Sequence, residues 1–152
     1  MELVRTYDAS IAMVNKALRR HRLSAAGRQA LAVIDGAGRP LSPTTIAARL
    51  LVTTASITSL LDTLERRGLV ARRPDPDDRR RLLISLTGEG RQVVDAFLPE
   101  VVALQTALMD GISEPERQRL IRTLAAIRDA AAALDIDSVL AAAPARVRPR
   151  RG

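Results

Sequence analysis

The stretch TTASITSLLDTLERRGLVARRPDPDDRRRLLISLT, residues 53–87, decides the fold. Its first half sets Ile57, Leu60, Leu61 and Leu64 at helical spacing and surrounds them with small hydroxyl residues, Thr53, Thr54, Ser56, Thr58, Ser59 and Thr63. One face of such a helix packs, while the opposite face stays thin enough to enter a major groove. The second half pairs LVAR with RLLISL across the turn-forming run Pro74–Asp78 and leaves Arg79, Arg80 and Arg81 where the hairpin turns back, with Arg73 on the outgoing strand. Guanidinium groups on a narrow protrusion suit phosphates and a narrow minor groove. A helix for a groove with a basic finger beside it reads as a DNA-binding head.

Charge placement points the same way. Of the net +7, residues 1–81 carry 15 basic against 8 acidic side chains, residues 82–143 carry 5 against 9, and residues 144–152 add four arginines. A basic front half joined to an acidic rear half fits a nucleic-acid-binding head on an arm with another task. The 152-residue chain is long enough for one domain and has no cysteine, which removes disulfide frameworks, zinc ribbons and thiol redox sensors. No apolar run approaches the roughly 18–20 residues a membrane span needs, and the opening MELVRTYDAS lacks the order of a signal peptide. The expectation is a cytoplasmic protein with no membrane partner.

Around the central stretch the chain reads as helices. Leu3, Val4, Tyr7, Ile11, Val14 and Leu18 give an amphipathic helix from Glu2 to about Arg20. Ser24 is placed to cap a second helix that ends at Gly36–Pro40, and Ser42-Pro43 opens a short third. That third helix, a tight connection at Leu51-Val52 and the helix ending at Gly68 have helix-turn-helix spacing. Thr87 caps a fifth helix in which Pro99 predicts a kink or a bend, and Ser113 with Glu116 forms a capping box for a sixth carrying Leu120, Ile121, Leu124 and Ile127. The apolar surface of the outer helices exceeds what one small head covers, which predicts interleaving with a second copy in a two-fold homodimer and hence a palindromic site on double-stranded DNA.

The segment RRGLVARRPDPDDRRRLLISLTGEGR, residues 66–91, contains both a D-P-x-D-R-R wing motif and a following L-T-x-x-G. On these residues the chain resembles the multiple-antibiotic-resistance regulator (MarR) family of winged helix-turn-helix transcription factors, over roughly Leu23 to Val102. The resemblance implies a mainly α fold with a small β-hairpin wing, a winged helix-turn-helix head, and N- and C-terminal helices forming a dimerisation arm. It implies an obligate homodimer on a pseudo-palindromic operator, and release of DNA when a small-molecule effector binds between head and arm. Residue by residue, the wing arginine of the minor groove falls on Arg80 and its bracing aspartate on Asp78, with Arg79 and Arg81 as phosphate contacts or solvated neighbours. The base-facing positions fall on Thr54, Ser56, Thr58, Ser59 and Thr63. Leu51 stands where family members commonly have glycine, so the turn is expected to differ.

The domain reading is a single domain, 1–143, with 1–22 and 88–143 as dimerisation helices, 23–87 as the head, and 144–152 as a basic disordered tail. Tyr7, Met13 and Phe97 fit either an effector cavity or the dimer core, with the core favoured. His21, in a basic run, reads as a helix-end residue. There is no glycine-rich phosphate loop, metal-ligand spacing or nucleophile with a base, so neither an enzyme nor a cofactor is expected. The reading is a DNA-binding transcriptional regulator acting as a repressor; the alternative is an architectural, weakly specific nucleic-acid binder.

Overall fold

The computed structural model describes residues 1–141. The sequence-assigned tail, with Arg146, Arg148, Arg150 and Arg151, lies outside the described residues. The helices are α1 (Glu2–Ala17), α2 (Ala25–Gly36), α3 (Pro43–Leu50), α4 (Thr54–Arg66), α5 (Gly88–Leu108), α6 (Glu114–Ala133) and α7 (Ile136–Ala141); a 3-10 turn spans Arg19–His21. Strands β1 (Val70–Pro74) and β2 (Leu82–Leu86) pair antiparallel, from Val70 opposite Leu86 to Pro74 opposite Leu82. The fold is thus mainly α with a small hairpin wing, and it divides into two compact units, Met1–Leu108 and the chain from Met109 onward.

Three helices of the first unit begin by one device. The hydroxyls of Ser24, Ser42 and Thr53 accept the backbone N–H of Gly27, Thr45 and Ser56 at 3.1, 3.2 and 3.2 Å. Each satisfies a donor that the first helical turn would otherwise leave free. Between α3 and α4 the chain bends by 110°, within the range of a helix-turn-helix. Leu51, expected to force a different turn, instead takes the left-handed conformation itself, at φ +55° and ψ +41°. The N–H groups of Leu51 and Val52 close the turn onto the carbonyls of Ala48 and Ala47, and the Leu51 side chain is exposed, so packing does not oppose it. The remaining cost is the backbone's, about 1–2 kcal/mol for a side chain in this region.

The apolar stripe of α4 meets Leu31 and Ile34 of α2, Ile46 of α3, Ile84 of β2 and Phe97 of α5 in one buried cluster. Leu41 exchanges both backbone hydrogen bonds with Ile84, at 3.0 and 2.8 Å, so the wing is fastened to the α2–α3 connection as well as to its own hairpin. The L-T-x-x-G segment fastens it a third time. The Thr87 hydroxyl donates to the Gly68 carbonyl at 2.5 Å and accepts the Gly90 N–H at 2.9 Å. A Cβ on Gly90 would lie 1.9 Å from the Leu69 carbonyl oxygen, so only glycine lets α5 start this close to the wing. Pro99 lies inside α5 without ending it.

In the second unit, α6 opens with the Glu116 carboxylate accepting the Ser113 N–H at 3.0 Å and the Ser113 hydroxyl at 2.5 Å. These two bonds hold the Glu116 carboxyl below its ordinary range. Arg117 donates to the carbonyls of Met109 and Ile112, both at 2.8 Å, closing the turn before the helix. No residue of α6 or α7 is buried. Among the described residues no single helix is long and apolar enough to cross a membrane.

Candidate nucleic-acid interface

The hydroxyl residues singled out on α4, Thr54, Ser56, Thr58, Ser59 and Thr63, are all exposed, opposite the buried Ile57, Leu61 and Leu64. Thr58 donates its hydroxyl proton to the Thr54 carbonyl at 2.9 Å, and Thr63 donates to the Ser59 carbonyl at 3.1 Å. With its proton spent on the helix, the Thr58 oxygen has lone pairs left for the amino groups of adenine and cytosine in a major groove, whereas the Thr63 oxygen already accepts from Arg66 Nη2 at 3.0 Å.

At the wing, the backbone is pinned before any side chain reaches out. The Asp75 N–H donates to the Arg81 carbonyl and the Arg81 N–H to the Asp78 carbonyl, both at 2.9 Å. The Asp75 and Asp78 carboxylates accept the backbone N–H of Asp77 and Arg80, at 3.1 and 3.0 Å. Asp78 therefore steadies Arg80 through its main chain, leaving the guanidinium free. Arg73, Arg79, Arg80 and Arg81 are all exposed, and among the described residues none of them is in an ion pair. A rigid loop carrying unpaired guanidinium groups can meet phosphate with little ordering cost.

Two arginines that sequence reading passed over are bonded into the first unit. Arg72, on β1, places Nη2 2.5 Å from Asp62 Oδ1 and Nε 3.4 Å from Glu65 Oε2, both carboxylates belonging to α4. The second contact is a charge pairing only, because Nε is buried and makes no hydrogen bond. Strand alternation from the buried Val70 offered the signal: position 72 faces inward, and an inward arginine needs an acid. Arg28 is buried on α2, donating to the Leu23 carbonyl at 2.7 Å and to the Asn15 side chain. Burial pulls its guanidinium below the ordinary arginine value.

Beside Arg28 lies an open cleft of about 130 Å³ whose walls include Ile11 and Val14 of α1, Gln29 of α2, and Phe97 and Val101 of α5. Of the three residues read as effector-pocket candidates, only Phe97 lines it. Tyr7 is exposed on α1 and Met13 is half-buried outside the lining, because α1 turns Ile11 and Val14 toward α5 instead. Nearby, His21 Nε2 sits 3.1 Å from Glu100 Oε2, its ring edge-on to Phe97, and Arg20 takes the other oxygen of Glu100. The bonds from Arg20 and then His21 hold the Glu100 carboxyl below its usual range. Among the described residues no group of three His, Cys, Asp or Glu side chains is placed to hold a metal ion.

Comparison with known proteins bears on this arrangement. Residues 23–81 match the family model described as "MarR family". The chain is 39% identical over 92 residues to the transcriptional repressor YetL of Bacillus subtilis, covering 60% of this chain and 55% of YetL, so it spans little more than half of that relative. Among solved structures it is similar to CouR of Rhodococcus jostii RHA1, crystallised bound to p-coumaroyl-CoA, with a TM-score of 0.77 and 32% identity over 82% of this chain and 87% of CouR. It is likewise similar to a MarR-family transcriptional regulator of Rhodococcus sp. RHA1, with a TM-score of 0.73 and 31% identity over 82% of this chain and 88% of the other.

Proposed function

The chain belongs to the MarR family of winged-helix transcriptional regulators, and from that premise we propose that it is a homodimeric repressor that binds a pseudo-palindromic operator in double-stranded DNA. The observation that carries the proposal is the pairing, on one buried core, of an exposed hydroxyl helix face with a pinned hairpin tip of unpaired arginines. In this reading α4 enters the major groove, where Thr54, Ser56, Thr58, Ser59 and Thr63 meet base edges. The wing follows the backbone to the next minor groove, where Arg80 enters and Arg73, Arg79 and Arg81 hold phosphates. Dimerisation through α1, α5, α6 and α7 sets the two recognition helices about 34 Å apart, one turn of DNA.

We further propose that a small-molecule effector occupies the cleft between α1, α2 and α5. CouR, of similar fold, was crystallised bound to p-coumaroyl-CoA, and here the cleft has mostly apolar walls that include Phe97, with Arg28 also in its lining. A body seated there would bear on α1 and α5 together and so on the spacing of the two heads.

The test is a titration of a duplex, selected by the wild-type chain from a random-sequence pool, against a scrambled duplex at physiological salt. Preference for the selected duplex is expected, with affinity falling steeply as salt rises. Replacing Arg79 and Arg80 by Ala should weaken binding and reduce the salt slope by about 0.9 per lost phosphate contact. Hydroxyl side chains read bases less sharply than Arg or Asn, which favours a second reading, an architectural binder; equal affinity for both duplexes would establish that instead.

A further inference from the structure

Among the described residues, Arg72 stands at the one place where charge joins α4 to the wing. It leaves β1 on the strand face shared with buried Val70, opposite the buried Ile84 of β2, and reaches α4 ten residues back in the chain. Its two partners, Asp62 and Glu65, are three residues apart on α4 and so lie on neighbouring positions of one helix face. Thr63, one of the exposed hydroxyl residues, lies between them in sequence. Without a cation beside them, the two carboxylates would sit close to where a phosphate backbone must pass, repelling it. With Arg72 in place they become a bracket: one guanidinium, hydrogen-bonded to Asp62 and charge-paired with Glu65, ties the strand to two points of the helix at once.

We propose that Arg72 is a positioning residue for DNA binding: through Asp62 and Glu65 it sets the attitude of the wing to the recognition helix, so that Arg80 reaches the minor groove when α4 is seated in the major groove. The inference rests on the DNA-binding reading above. It makes Arg72 different in kind from Arg79, Arg80 and Arg81, which are exposed and form no ion pair among the described residues, whereas Arg72 is only partly exposed and is occupied within the protein. It also gives Asp62 a role opposite to the one its charge suggests. As an isolated acid on a DNA-facing helix Asp62 would oppose binding; as an anchor for Arg72 it favours it.

That opposition of sign supplies the experiment. Full-length Asp62→Asn, Arg72→Lys, Arg72→Ala, Arg80→Ala and the Arg72→Ala/Arg80→Ala pair are titrated against the selected and scrambled duplexes, with thermal melting of each protein alongside. Asp62→Asn removes a negative charge yet should bind the selected duplex about fivefold or more weakly, with Arg72→Lys intermediate between wild type and Arg72→Ala. Because the bracket acts through the wing, the double variant should bind about as weakly as Arg80→Ala alone, the non-additivity expected of residues in one unit. Tighter or unchanged binding by Asp62→Asn, or additive losses in the double variant, would overturn the positioning role. Should Arg72→Ala fail to fold, Asp62→Asn decides by itself. A wild-type chain that binds neither duplex would defeat the DNA-binding reading first, and this inference with it.

Discussion

Helices α4 and α6 have the same kind of apolar stripe and opposite fates. In α4, Ile57, Leu61 and Leu64 are at most 1% exposed; in α6, Leu120, Ile121, Leu124 and Ile127 range from 38 to 59%. The first unit covers the stripe of α4 with α2, α3, the wing and α5, which frees the polar side of α4 to work as a surface, although Leu3, Val4 and Tyr7 of its α1 stay exposed. Among the described residues, the second unit buries no residue of the stripe it carries. A run of four large apolar residues at helical spacing is not left wet in a stable protein without cause. A second copy of the chain is the proposed cover, since each copy brings the same stripe and a two-fold axis lets them cover one another. In the proposed reading, this difference separates the helix that meets DNA from the helices that arrange two such helices on it.

The sharpest way to break this contrast is to charge the open stripe. Leu124→Arg should cost about 3–5 kcal/mol of dimer stability, because the partner helix would bury an unpaired charge. Sedimentation should then show a monomer whose first unit still melts cooperatively; an unchanged dimer would mean that the stripe of α6 is not the interface. Leu61→Ala attacks the covered stripe and should cost about 2–5 kcal/mol in denaturant unfolding through lost burial and a residual cavity, at any protein concentration. The expected signature is therefore a concentration-dependent loss for α6 and a concentration-independent one for α4.

Smaller effects sharpen the picture of the first unit. Leu51→Gly should raise stability by up to about 1 kcal/mol, since relief of the left-handed leucine exceeds the added freedom of glycine in the unfolded chain. No gain on thermal melting would mean that the exposed leucine makes contacts the turn depends on. The carboxyl of Glu100, held below its ordinary range by Arg20 and then His21, contributes stability that is present above the unfolded carboxylate value and lost as pH falls through its lowered folded value. Melting temperature should therefore decline on the acid side of about pH 4.3, the unfolded glutamate value, and Glu100→Gln should flatten part of that decline. An identical acid profile in the variant would show that the latch contributes nothing.

What the sequence made legible was whatever is specified locally. Ser24, Ser42, Thr53 and Thr87 each bond to a backbone N–H three residues on, so their places as helix starts could be read without knowing the fold. The wing tip was legible for the same reason, since its Asp and Arg residues bond among themselves. Contacts between distant segments were not. Nothing local says that α1 turns Ile11 and Val14 to the cleft instead of Tyr7 and Met13. Arg72 was half-legible: alternation gives its face, but its partners on α4 become apparent only once helix and strand are packed together. Leu51 was misjudged because the expected cost of a left-handed leucine is real but smaller than the benefit of closing the turn.

The most direct test of the link between the two units is the mass of the protein alone and on DNA, by sedimentation at micromolar concentration with and without the selected duplex. Two copies in free solution and two copies per duplex are predicted, with Leu124→Arg giving one copy free and markedly weaker binding. A wild-type chain that is monomeric in solution and binds the duplex as a single copy would contradict the proposed dimer and, with it, the reading of a pseudo-palindrome.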